Sequence, residues 1–197
     1  SLYGVFFSVN FTAGPMFTVI ICMLAMYRFL GFSELSYLER TLFTCTVLYV
    51  FIFSLLCASP FNSVLSKYMS DRIFLERFDD IRPCAYVGIT ASLVLAALLG
   101  IPFCLRLYIV GGIPARYIFM AFLCYLALSF VLAAMVFNSI LKHYKKIMRY
   151  FTYGMLITFI LSLIFRFVFR FSVTISMLSS LTIGFVMIAI LEFANIL

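Results

Sequence analysis

The sequence predicts an all-α, polytopic integral membrane protein with six transmembrane helices, and three observations carry that reading. Apolar runs near positions 13–30, 41–66, 84–104, 117–141, 150–168 and 172–194 each approach or exceed the roughly 20 residues that a helix needs to cross a hydrocarbon core about 30 Å thick. Of the whole chain, 66% is hydrophobic and only 11% charged, against roughly a quarter charged in an ordinary soluble domain. A β-barrel would alternate apolar and polar positions over segments of about ten residues, yet Ala91 to Leu99 and Leu156 to Phe165 are continuously apolar or nearly so. Helices satisfy the backbone within each segment and are the economical solution in lipid.

Taken in order, the first run follows an aromatic and apolar start and carries Gly14-Pro15, where proline removes an internal hydrogen bond and interrupts or bends the helix. Gly31 to Glu39 forms a short polar connection that leads through Arg40 into the second run. That run is the most broken, because Pro60 in Ser59-Pro60-Phe61-Asn62 frees a carbonyl that Asn62, a serine or a water must satisfy. It exits through Lys67-Tyr68-Met69-Ser70-Asp71-Arg72, and from Lys67 as far as Arg82-Pro83 four basic and four acidic residues alternate. The third helix is expected to run to about Leu107 and to turn at Gly111-Gly112-Ile113-Pro114. The fourth starts near Ala115-Arg116 and ends at Asn138 to Leu141, before the strongest basic stretch, Lys142-His143-Tyr144-Lys145-Lys146-Ile147-Met148-Arg149. The fifth ends with Arg166 and Arg170, which four-residue spacing would put on one helix face. The sixth carries Ser172, Thr174, Ser176, Ser179, Ser180, Thr182 and Gly184, small residues that permit close helix contact.

Sidedness follows from Lys and Arg in the connections, since acidic residues contribute little to the rule. The second connection holds Lys67, Arg72, Arg77 and Arg82, and the fourth holds Lys142, Lys145, Lys146 and Arg149, whereas the first, third and fifth hold two each. Connections two and four, and with them both ends of this segment, are expected in the cytoplasm. The net charge of +7 therefore reads as a topology signal and a set of anionic-lipid contacts, with no nucleic-acid partner implied. The six cysteines are scattered singly, without metal-ligand or redox spacing, and read as reduced packing residues.

Little here could do enzymatic chemistry. There is no phosphate-cradling loop, no triad pattern and a single histidine, His143, so neither metal nor cofactor is expected. The acids of the second connection, including Asp79 and Asp80, could coordinate a sugar nucleotide and metal, but helix capping and salt bridges explain them as readily. Transport leaves another signature, broken helices and polar groups on interior faces. Thr18, Arg28, Asn62, Arg166 and Arg170 are the substrate-path candidates, with Gly14, Pro15 and Pro60 as helix breaks. Against this, the arginines could snorkel to headgroups, and Thr18 and Asn62 could repair backbone. Glu192 is a weaker candidate for an ion-coupling carboxylate, because it lies near the cytoplasmic end of its helix.

Three stretches carry a family resemblance: Gly14-Pro15-Met16-Phe17-Thr18-Val19-Ile20, then Lys67-Tyr68-Met69-Ser70-Asp71-Arg72-Ile73-Phe74, and Lys142-His143-Tyr144-Lys145-Lys146-Ile147 followed by Phe151 and Gly154. The middle one, continued by Asp79-Asp80-Ile81-Arg82-Pro83, is the most specific. With the six-helix layout, the chain resembles one lobe of the multidrug, oligosaccharidyl-lipid and polysaccharide exporter superfamily (MATE/MOP-like), and within it the PelG family. The resemblance implies an N-terminal six-helix lobe over 1–197, with a second lobe absent from this chain. It implies, too, a bacterial inner-membrane transporter that moves a nascent, amino-sugar-rich exopolysaccharide outward and supports biofilm matrix production. Its implied partners are a cytoplasmic glycosyltransferase and membrane scaffold subunits, docking on Lys67, Tyr68, Asp71, Arg72, Asp79, Asp80, Lys142, Tyr144, Lys145 and Lys146. The alternatives are an ion-coupled multidrug exporter or lipid-linked oligosaccharide flippase of the same fold, or a non-transport scaffold subunit.

Overall fold

Residues 17–75, 81–140 and 144–194 are described by the computed structural model, and every regular element among them is helical. The order is α1 (Phe17–Phe29), a 3-10 turn (Phe32–Glu34), α2 (Tyr37–Phe74), α3 (Ile81–Gly111), α4 (Ala115–Ile140), α5 (Tyr144–Phe167) and α6 (Val173–Ala194). Five of them, α2 to α6, are long and apolar enough to cross a membrane, and α1 is shorter over its described length. Gly14 and Pro15, the break expected in the first run, lie outside the described residues.

The helix ends follow local chemistry. Ser36 caps α2 through a reciprocal capping box: its hydroxyl accepts from the Glu39 N–H at 3.3 Å, and the Glu39 carboxylate accepts from the Ser36 N–H. The helix thus begins at Tyr37, inside the stretch expected to be a connection. It then runs for 38 residues, about 57 Å at 1.5 Å per residue, so it outlasts the hydrocarbon and carries its charged end beyond it. Pro60 lies inside this helix without interrupting it, and its ring is exposed. The expected interruption is therefore absent, since one missing N–H is tolerated within a long helix whose neighbouring bonds persist. The turn at Gly111 to Pro114 forms as expected, with Gly112 at φ +60° and the Pro114 carbonyl accepting from Tyr117 and Ile118 at 2.9 and 3.2 Å.

The end of α5 differs from expectation. The helix stops at Phe167, and Arg170 sits outside it at φ 52°, so Arg166 and Arg170 do not share a helix face. Three phenylalanines explain the departure. Phe169 and Phe171 stack at 5.9 Å, Phe165 meets both at 6.0 and 6.2 Å, and the Phe171 N–H donates to the Phe165 carbonyl. This fold-back clamp forces the left-handed turn at Arg170.

Successive spans alternate in direction. Cys22 of α1 reaches the Met155 carbonyl at 3.4 Å and Phe29 meets Phe159, so α1 and α5 run parallel. Helices α4 and α6 form the centre, α4 also packing on α2 and α3, and α5 packing on α6. Phe43, Leu128, Val131, Met177, Leu178, Leu181, Phe185 and Ile188 are buried in that core. A second cluster, Met69, Ile81, Cys84, Ala85, Ile89, Ala133, Ala134 and Phe137, closes the end where α2 meets α3. Lipid is as apolar as these side chains, so close packing and interhelical hydrogen bonds hold the bundle rather than water exclusion. Gly154 of α5 and Gly184 of α6 show this best: a β-carbon on Gly184 would run into Thr158 Oγ1 and come 3.2 Å from the Gly154 carbonyl oxygen. Gly154, part of the family-like stretch, is thus a helix-crossing residue.

Candidate transport path and a buried carboxylate

One group of polar side chains meets across two helices. Between α2 and α4, the Ser54 and Ser129 hydroxyls both donate to the Tyr125 carbonyl, at 3.2 and 2.9 Å, and stand 3.2 Å apart. The Tyr125 hydroxyl lies 3.1 Å from Cys57 Sγ. Serines this small let the two backbones approach, and each satisfies its hydroxyl without water. Replacing Ser129 with alanine should lower stability by only about 0.6 kcal/mol, the average for such contacts in a membrane, because Ser54 keeps the carbonyl satisfied. Denaturation of the purified protein in detergent checks this.

The end holding connections one, three and five is aromatic and carries arginines. Tyr117 donates to Thr46 at 2.9 Å, Arg166 donates to the Phe171 carbonyl at 3.2 Å, and Arg116 lies 5.5 Å over the Phe171 ring. Nearby, an apolar cavity of about 150 Å³ opens between α2, α3 and α4, lined by Tyr49, Phe53, Phe103, Tyr117 and Phe122 among others. Its walls offer almost nothing to bind a sugar hydroxyl.

The five substrate-path candidates do not converge. Arg28 is exposed in the last turn of α1, Arg166 is half-buried and bonded to the Phe171 carbonyl, and Arg170 is exposed in the loop, all at the end just described. Thr18 is half-buried toward the opposite end of α1, and half-buried Asn62 lies on α2 one turn before Leu65, the residue that packs against Gly88. Around Asn62, however, α2 presents a run of polar side chains missed as a group in the sequence: Ser59, Ser63, Lys67, Ser70 and Asp71 are exposed, and Ser66 is half-buried. Helical spacing of three and four residues was the signal that could have found it.

Of the partner-interface candidates, Lys67, Tyr68 and Asp71 line a shallow open groove with Ser63 and Val64, and Arg72 stacks 4.9 Å over Tyr68. Tyr144 begins α5, where Lys145 and Lys146 are exposed. Asp79, Asp80 and Lys142 lie outside the described residues. At this same end Glu192 is fully enclosed, not peripheral as its position near the helix terminus suggested, and Asn138 Nδ2 of α4 donates to the Glu192 carbonyl at 2.9 Å.

Long apolar helices, paired interior polar groups and charges gathered at the helix ends define a polytopic helical membrane protein. The chain belongs to the PelG family, whose model, described as "Putative exopolysaccharide Exporter (EPS-E)", matches residues 1–197. The family description is that of an exporter and not of an enzyme. No curated protein and no solved structure matches the chain.

Proposed function

We propose that this chain is one six-helix, MATE/MOP-like lobe, the N-terminal one, of a bacterial inner-membrane transporter that carries a nascent exopolysaccharide from the cytoplasm outward for the biofilm matrix. The family match over residues 1–197 carries the reading. The polar run of α2 supports it, because an amide at Asn62 and an ammonium at Lys67, set among small hydroxyl residues, suit a protein or water neighbour better than lipid. A polymer moving between that face and a second lobe would find hydroxyl and amide groups in place of apolar wall. Both ends of the segment and connections two and four face the cytoplasm in this reading. There Lys67, Asp71 and Arg72 present mixed charge to a glycosyltransferase or scaffold subunit, and Lys145, Lys146 and Arg149 meet anionic lipid.

Replacing Lys67, Asp71 and Arg72 together with alanine should leave the protein in the membrane and polymer synthesis intact, while extracellular polymer disappears. Separate assay of cytoplasmic and secreted polysaccharide reads this. Normal secretion accompanied by lost drug resistance would instead favour a multidrug exporter of the same fold.

A further inference from the structure

Glu192, in the last turn of α6, has no exposed surface, and neither carboxylate oxygen has a hydrogen-bond partner among the described residues. The other described acids, Glu34, Glu39 and Asp71, are all exposed. A bare carboxylate so enclosed carries a heavy desolvation penalty unless it is neutralised. Among the described residues, no counter-charge reaches it from the core. Helix α4 brings only neutral Asn138 and has no titratable group from Phe130 to Ile140. Lys142 and His143, next in the chain, lie outside the described residues. Helix α5 meets α6 at Gly154–Ile188 and Thr158–Gly184, so each turn forward on α5 matches a turn back on α6. Tyr150 thus comes level with Glu192, with Lys146 one turn further out; Lys145, Lys146 and Arg149 are exposed. Helix α3 brings Tyr86, whose ring stands edge-on to Phe193 at 5.3 Å; the side chain of Arg82, one turn earlier, lies outside the described residues. Helix α1 brings Cys22, which is bonded to the Met155 carbonyl about one turn away.

A metal cation would need several oxygens around it, and no group of three His, Cys, Asp or Glu gathers among the described residues. A proton needs only the carboxylate. We propose that Glu192 is a proton-binding site, its carboxyl neutral while Asn138 pins α6 to α4 and deprotonating when that contact opens. On the export reading, it is the site through which a proton gradient drives transport. The step is proton transfer alone: the carboxyl O–H breaks to water, and the carboxylate later takes a proton back from water. Asn138 suits the role of latch because it grips the backbone of the very residue that titrates, leaving the side chain free to change state.

The test has two arms on the full-length protein. Infrared spectra at pH 7 should show the carbonyl stretch of a protonated carboxylic acid in wild type, lost in Glu192→Gln; a wild-type spectrum without that band overturns the proposal. In vesicles loaded with polymer, export by wild type should fall about tenfold when a protonophore collapses the pH gradient, whereas Glu192→Gln and Glu192→Asp should lose or shift that dependence. Unaltered gradient dependence in Glu192→Gln, or dependence on sodium instead of protons, overturns it. Wild-type vesicles that move no polymer at all would count against the export reading, and the infrared band would still decide whether Glu192 holds a proton.

Discussion

Leucine in place of Gly184 is expected to abolish folded protein, and alanine to destabilise it by about 1 to 3 kcal/mol, the range for forced overpacking. Gly184 lies where α5 and α6 cross, and even one added carbon meets Thr158 Oγ1 and approaches the Gly154 carbonyl. The neighbour that must yield is not a free rotor, because Thr158 Oγ1 already donates to that carbonyl at 2.9 Å. Backbone sits on the other side, so a leucine can be admitted only by separating the helices. The whole α5–α6 contact would go with it, including the seating of Ile188 against Gly154. Thr158→Ala removes the colliding oxygen, so the double variant Gly184→Ala with Thr158→Ala should recover part of the loss. A coupling of about 0.5 to 3 kcal/mol between the two sites is the expected range for touching residues. Thermal unfolding in detergent of the two single variants and the double one measures it. Additive losses would mean that the crossing is looser than described.

That crossing shows what a sequence can and cannot disclose in lipid. Five of the six apolar runs, those of α2 to α6, and the turn at Gly111 to Pro114 were readable because length, glycine and the proline of that turn act locally. The start of α2 was also local, since Ser36 with Glu39 three residues later is a capping signature, yet the polar look of Gly31 to Glu39 masked it. Arg170 was not readable from spacing: the left-handed turn comes from the Phe165, Phe169 and Phe171 cluster, and a four-residue spacing says nothing once the helix has ended. Glu192 failed for a deeper reason. The hydrophobic pattern of α6 marks no face, and the stripe of small residues Ser176, Ser180 and Gly184, whose four-residue spacing leads on to Ile188 and Glu192, was outweighed by the acid's place near the helix end. The packing of Gly184 and Ile188 against α5, and of Asn138 against the Glu192 backbone, shows that this stripe is the enclosed face. The site residues were least legible because they depend on which helices are neighbours.

Changing Asn62, Ser63 and Ser66 together to leucine should leave the lobe folded and nearly silence export. Ser63 is exposed and the other two are half-buried, so none of the three anchors the core, and greater apolarity suits a membrane helix. The Ser63 and Ser66 hydroxyls now turn back to the Ser59 and Asn62 carbonyls. Those carbonyls belong to the α2 backbone, so losing the hydroxyls removes no contact between helices. If a polymer slides along this face, three hydrogen-bonding groups worth roughly 1 kcal/mol each disappear from its path, which corresponds to about a hundredfold slower export. Leu48, Ile52 and Leu55 occupy exposed apolar positions earlier on the same helix, and their conversion to alanine should leave the rate near that of wild type. Secreted polymer per unit of membrane protein distinguishes the sets. Equal export from the leucine triple variant and wild type would show that the polar face of α2 is not the path. A fall of similar size in the alanine set would point instead to general disturbance of α2.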